Sequence, residues 1–269
     1  MPHLINFEQA PWTTHKPKKR LDIRKRWPKF WRIAVASEER EARKEIMSRG
    51  EHPVDRLILK SLSEARDRRP ASVGCCPILA RRFQIFFTSR ALRICDAQND
   101  EPDRYTFFDE ADAVRVGLLH TVKWKKLILR LRRRFERHLG KHVVVYGMGE
   151  VEFDETRGVW QPHFHLAIHH STEAAFETLR RKHYRTTLRE SRPMLRAKPQ
   201  HVEKWLSYMS KLTAFSKGKS GPGSRGRLAD PLSREYFRYL SSISQTKLVF
   251  AMNCKIVKSE NGRGSRSVN

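Results

Sequence analysis

HVVVYGMGEVEFDETRGVWQPHFHLAIHH, residues 142–170, decides how this chain is read. β-Branched and aromatic residues flank a polar segment ending in Gly158, which is the pattern of a β-hairpin. The register follows from the pleat, because slipping one strand by a single residue sends its whole apolar set to the wrong side. Pairing Asp154 with Val159, with Glu155, Thr156, Arg157 and Gly158 as the loop, puts Val143, Val145, Val151 and Phe153 on one face with Trp160, Pro162, Phe164, Leu166 and Ile168. That face is the expected core. The opposite, open face carries Tyr146, Met148, Glu150 and Glu152 from the first strand and Gln161, His163, His165 and His169 from the second. In this register Glu150 lies opposite His163, and Glu152 opposite Gln161. Two imidazoles two residues apart on a strand, with a carboxylate about 5 Å across the ladder, make a three-ligand site for a divalent metal.

The tripeptide HFH carries little weight alone, since 12 His in 269 residues give roughly half a His-x-His pair by chance. Its setting carries more. It is the one His-x-His of the chain, it sits in mid-strand with an apolar reverse face, and carboxylates stand opposite. The ordinary alternative is a pair of solvent-facing strand histidines beside acidic neighbours.

Working outward, residues 114–139 read as a long helix, because Leu118, Val122, Trp124, Leu127, Ile128, Leu131, Phe135 and Leu139 recur at three- and four-residue steps and Gly140 supplies a stop. Lys126, Arg130, Arg133 and Arg137 form a cationic ridge on it, readable equally as a solvated exterior or a DNA contact. Before it, YTFFDE (105–110) reads as a strand, and RRFQIFFTSRALRICD (81–96) as a buried strand or short helix. After the hairpin, PQHVEKWLSYMSKLTAF (199–215) reads as an amphipathic helix that buries Val202, Trp205, Leu206, Met209 and Leu212. Tyr208 and Lys211 stand one turn apart beside that stripe. Of the six tyrosines only Tyr208 has a lysine three residues later, although a boundary tyrosine is usually a packing residue.

Three segments follow from composition. Residues 1–70 are a basic N-terminal extension, with Trp27, Phe30 and Trp31 among its cations and some helix around 38–47. Residues 71–217 are the main domain. Residues 218–269 begin in the Gly/Ser/Lys linker SKGKSGPGSRGR (216–227), continue through a short helix (REYFRYLSSIS) and a strand (TKLVFAM), and end in the polar tail KSENGRGSRSVN, expected to be disordered. The 55 Lys+Arg against 29 Asp+Glu leave a formal charge of +26, which points first to a polyanion, and nucleic acid is the commonest. No apolar run approaches the roughly 18 residues of a membrane span, and the N-terminus lacks the apolar core of a signal peptide, so the expectation is a soluble cytoplasmic chain with no membrane partner. Cys75, Cys76, Cys95 and Cys254 are too few and too irregularly spaced for a disulfide framework.

In order along the chain, the carboxylate strand GEVEFD, the strand QPHFHLAI and the helical YMSK resemble the HUH endonuclease superfamily, and within it the single-tyrosine rolling-circle replication initiators of plasmids and phages. The resemblance covers about residues 105–215. It implies an α+β fold, an antiparallel β-sheet with helices packed on one face. It also implies metal ligation (Mg or Mn) by His163, His165 and Glu150, a nucleophile in Tyr208 and an assisting lysine in Lys211. RYTFFDE matches the family's first, threonine-containing strand only loosely, and GCCP with Cys95 is at most a degraded form of the Cys-rich knuckle of some relatives. The implied activity is DNA nicking and strand transfer through a 5′-phosphotyrosine on a single-stranded or hairpin origin, with a host helicase and polymerase as partners. A transposase or relaxase would use the same chemistry. A non-catalytic nucleic-acid-binding protein and a water-using metallohydrolase are the readings from other classes.

Overall fold

The structure, a computed structural model, describes residues 33–65, 74–98, 100–185, 193–197, 201–214, 216–217, 225–254 and 256. The aromatic and basic residues of the arm up to Trp31, most of the linker and the polar tail lie outside the described residues. The fold is α+β. Its elements are α1 (Ile33–Ser48), α2 (Pro53–Glu64), α3 (Pro77–Gln98), β1 (Asp103–Phe108), β2 (Val114–Arg115), α4 (Trp124–His138), β3 (Val144–Asp154), β4 (Val159–His169), α5 (Glu173–His183), β5 (Met194–Ala197), α6 (Val202–Met209), β6 (Ser216–Lys217), β7 (Arg225–Gly226), α7 (Asp230–Ser242) and β8 (Val249–Met252). One sheet runs in the order β5-β1-β4-β3-β6-β7, with β2 added to β4 and β8 to β3. All of its pairings are antiparallel except the two-residue contact of β3 with β6.

The β3–β4 hairpin is its centre, and its register pairs Asp154 with Val159, Glu152 with Gln161 and Glu150 with His163. Asp154 also closes the loop, its Oδ1 accepting from the Arg157 N–H at 3.2 Å. On the apolar face α4 and α5 pack on the sheet: Trp124 meets Phe164 edge-on at 5.5 Å, Phe135 meets Phe107 and Phe250, and Phe176 stacks on Tyr105 at 4.0 Å. Gly149 makes this approach possible, because any Cβ there would run into the Trp124 ring.

The expected helices on one face need correction, because helices cover both. On the histidine face α6 lies over β4 and is held by α3, whose Gln84 Nε2 donates to the Ser207 carbonyl at 2.8 Å. That face is therefore as buried as the other: Tyr146, Met148 and His169 are each 0 % exposed. The physical reason lies in residues 81–96, which belong to the 22-residue helix α3 and bury Phe83, Phe87 and Ala91. The predicted helix over 114–139 also shortens. Gly117 at φ 87 breaks it, Val114 and Arg115 join the sheet, and the helix starts at Trp124.

The segments expected to flank the domain are built into it. In the N-terminal extension, Asp55 of α2 is fully buried and ion-paired with Arg238 of α7 at 2.5 Å, and Arg43 of α1 donates to the Cys75 carbonyl at 2.7 Å. Beyond residue 217, α7 packs its Tyr236 on Trp160 at 6.1 Å, and β8 extends the sheet beside β3. Among the described residues no helix is long and apolar enough to cross a membrane.

Candidate metal centre

Glu150, His163 and His165 converge where the central strands meet. One ligand atom from each lies within 4.8 Å of the others. The His163 and His165 Nε2 atoms are 3.0 and 3.1 Å from Glu150 Oε1 and 3.1 Å from each other. The pairing explains this. Glu150 and His163 are directly opposed, and His165 is the next same-face residue along β4. All three are nearly buried, at 9, 6 and 4 % exposure, so the open face expected from the alternation is in fact roofed.

The protonation pattern suits a cation. His163 Nδ1 is 3.3 Å from the Gln161 carbonyl oxygen, which can only accept, so Nδ1 carries a proton and Nε2 is the atom turned to the centre. His165 Nδ1 lies 3.0 Å from Thr106 Oγ1 on β1, a hydroxyl that can donate or accept, and this contact orients the ring so that Nε2 points to the centre. Burial lowers the His165 pKa to about 4, against the raising influence of Glu150, so the ring is neutral at pH 7. Burial pushes the Glu150 carboxyl up, but the adjacent Lys211 charge leads the opposing influences that hold it well below the usual carboxylate range. A carboxylate buried among imidazole nitrogens needs positive charge beside it. Lys211 supplies part of it, with Nζ 3.0 Å from Glu150 Oε1. Glu150 Oε2 is buried with no hydrogen-bond partner, which leaves an unused acceptor at the centre. The group could therefore hold a metal ion, with both imidazoles oriented from behind.

Tyr208 and Lys211 join the same centre. The Tyr208 ring lies edge-on to His165 at 5.8 Å, and Lys211 Nζ sits 3.8 Å from the centre of the Tyr208 ring. They are not on one helix, however. α6 ends at Met209, and Leu212 at φ 48 turns the chain away, so Lys211 occupies the exit turn with its N–H on the Tyr208 carbonyl at 3.3 Å. Short buried side chains at this turn explain the stop: Ser210 Oγ donates to the Ser207 carbonyl at 3.2 Å and competes with further helix. Tyr208 is partly exposed, whereas the other five tyrosines are buried to 4 % exposure or less.

Sequence reasoning missed Thr106 and Gln84. Thr106 was readable, since the alternation of YTFFDE sets it opposite to Tyr105 and Phe107, and the pairing of β1 with β4 sets it beside His165. Gln84 had no such signal within an apolar run. The four cysteines are free: Cys75 and Cys76 are fully buried, and Cys95 and Cys254 partly so. No family model, curated protein or solved structure matches the chain.

Proposed function

We propose that this protein is a metal-dependent single-strand DNA endonuclease and strand transferase of the HUH type, acting as a rolling-circle replication initiator. The observation that carries the reading is the meeting of a His-His-Glu acceptor set with the one partly exposed tyrosine of the chain. A divalent ion such as Mg²⁺ or Mn²⁺, held by His163, His165 and Glu150, would neutralise and align the scissile phosphate. Tyr208 is then the nucleophile. Its oxygen bonds to phosphorus, the bond to the 3′ oxygen breaks, the phenol proton passes to solvent, and the 3′ oxygen leaves as a hydroxyl after taking up a proton. The downstream strand stays attached through a 5′-phosphotyrosine, which keeps the bond energy for rejoining. Lys211, between Glu150 and the Tyr208 ring, favours the phenoxide and the phosphate. The Gln161 carbonyl and the Thr106 hydroxyl hold the two imidazole rings with their Nε2 atoms toward the centre. The charge of +26 supplies the attraction for the strand.

The test is incubation with single-stranded and hairpin DNA in Mn²⁺ or Mg²⁺, followed by denaturing electrophoresis. A covalent adduct that requires metal and disappears in Tyr208→Phe supports the reading. Cutting without attachment would assign the centre to a water-using hydrolase, and metal-independent binding with neither would leave a passive binder.

A further inference from the structure

On the apolar side of the sheet, away from the Glu150 centre, α4 and α5 each end on a histidine. The two rings meet there: His138 Nε2 lies 3.0 Å from His183 Nε2, with ring centres 5.0 Å apart and planes inclined by 54°. Both residues are partly exposed, whereas their neighbours Leu139 and Tyr184 are buried, so the pair sits at the rim of the core rather than in it. A hydrogen bond from one ring to the other is the plain account of this contact. The spacing also matches ligation. Two imidazoles bound to one ion at about 2.0–2.1 Å place their nitrogens about 2.9 Å apart at a right angle and about 3.3 Å apart at the tetrahedral angle. At 3.0 Å the pair falls between these values, as do His163 and His165 at 3.1 Å.

Burial, and after it the charges of Lys182 and Arg137, with Arg134 also acting on His183, lowers the pKa of both rings, so each is neutral at pH 7 and has a lone pair to give. The same charges oppose a metal ion, but Arg134 is engaged by Asp109 at 3.2 Å and by the Tyr184 ring, and Arg137 and Lys182 are exposed to screening solvent. Against them stand the negative ends of two helices, each equivalent to roughly half an elementary charge. We propose that His138 and His183 form a second metal site, for a borderline divalent ion such as Zn²⁺ or Ni²⁺. Two nitrogen ligands without a carboxylate select these ions over Mg²⁺ and Mn²⁺. Among the described residues no third His, Cys, Asp or Glu joins the pair, so water completes the coordination. The ion ties the last turn of α4 to the last turn of α5, the two helices whose Phe135 and Phe176 pack on the sheet. The site does not depend on the DNA reading.

The experiment titrates Zn²⁺ by isothermal calorimetry into the wild type, His138→Gln, His183→Gln and the double variant, with circular dichroism in EDTA to confirm that each folds. Both side chains are partly exposed, so the fold should accommodate glutamine at either position. Zn²⁺ taken up at the Glu150 centre adds the same isotherm to all four proteins. At the second site each single variant should bind about hundredfold more weakly, because one ring alone loses the chelate, and the double variant should lose little more. The rise in Tm on adding Zn²⁺ should shrink alike in all three variants, with Mn²⁺ binding at the Glu150 centre by electron paramagnetic resonance unchanged. Identical isotherms in the four proteins would overturn the proposal. So would losses in the two single variants that sum to the loss in the double, the mark of two independent surface histidines. A second readout needs no variant: in wild-type protein with ¹⁵N-labelled histidine, Ni²⁺ should broaden the His138 and His183 ring signals together, and broadening of neither or of one alone would overturn the site.

Discussion

Replacing Lys211 by Met removes the ammonium and keeps most of the side chain's length and apolar body. Lys211 and Glu150 are 3 and 9 % exposed at the side chain and 3.0 Å apart, so the change leaves a buried carboxylate without its ammonium partner. Breaking a buried pair from one side costs about 3–5 kcal/mol, which for a chain of this size lowers Tm by roughly 6–20 °C. A divalent ion should then reverse much of the loss, because it supplies positive charge to the same acceptor set. At a free concentration of about 100 times Kd, binding to the folded state alone returns about 2.7 kcal/mol, or roughly 5–10 °C. The wild type should gain less, because there the ion competes with Lys211 for Glu150 Oε1. Glu150→Gln should lose a similar amount and recover little, since it strands the ammonium and removes the anionic ligand. The assay is thermal unfolding by circular dichroism in EDTA, Mg²⁺ and Mn²⁺. A Lys211→Met protein with wild-type Tm in EDTA, or equal rescue of Lys211→Met and Glu150→Gln, would refute the reasoning that one cavity serves ammonium and metal in turn.

Tyr208→Phe should abolish the covalent adduct while changing stability by less than about 1 kcal/mol, as measured by urea unfolding, because the ring keeps its contact with His165; a larger loss would make the hydroxyl a structural hydrogen bond. Glu152→Gln should weaken Mn²⁺ binding far less than Glu150→Gln, because Glu152 faces Gln161 across the ladder; equal effects in a metal titration would contradict the site. His165 stays neutral in the fold down to about pH 4, whereas the unfolded chain takes up its proton near 6.5. Metal-free stability should therefore fall as pH drops from 6.5 toward 4, by on the order of 3 kcal/mol, with Glu150 adding to the loss only below about 4.5; a urea midpoint that is flat between pH 7 and 5 would count against a buried neutral His165. Replacing the exposed Lys126, Arg133 and Arg137 of α4 by Ala should reduce the slope of log affinity against log salt by about 2–3 and leave the adduct intact at saturating protein, because α4 packs on the sheet face away from the centre.

The hairpin was legible because a strand's period of two couples every side chain to the register. Once Asp154 pairs with Val159, the opposition of Glu150 to His163 follows without freedom. The helices were less legible because their signal is a stripe, and a stripe does not say how far it runs. Leu118 fits the apolar spacing of α4, yet it lies 46 % exposed in the turn after Gly117, before the helix begins at Trp124. The stripe of α6 reaches Leu212 in sequence, but the helix stops at Met209 and Leu212 is buried from a left-handed turn instead. Burial of the histidine face was not readable, because it depends on α3, whose partners come from residues more than 100 positions away, as the Gln84 to Ser207 hydrogen bond shows.

That roof changes what the centre can do. An open row of histidines would meet any strand lying across the sheet, with water competing at every ligand. Under α6 and α3 the acceptors work in a drier setting, where each charge interaction is stronger and each unpaired group costs more. Lys211 is the consequence: a cation at the centre lets Glu150 stay ionised there. Access then has to come through the groups left partly open. Tyr208 keeps part of its surface exposed, and a cleft between α1 and α7 ends on Lys211. On the proposed DNA reading, a strand would meet the partly exposed Tyr208 before the buried metal ligands, whereas the basic ridge on α4 would act from the opposite face of the sheet. Attraction and chemistry would then lie on different faces of one hairpin, according to which helix covers each.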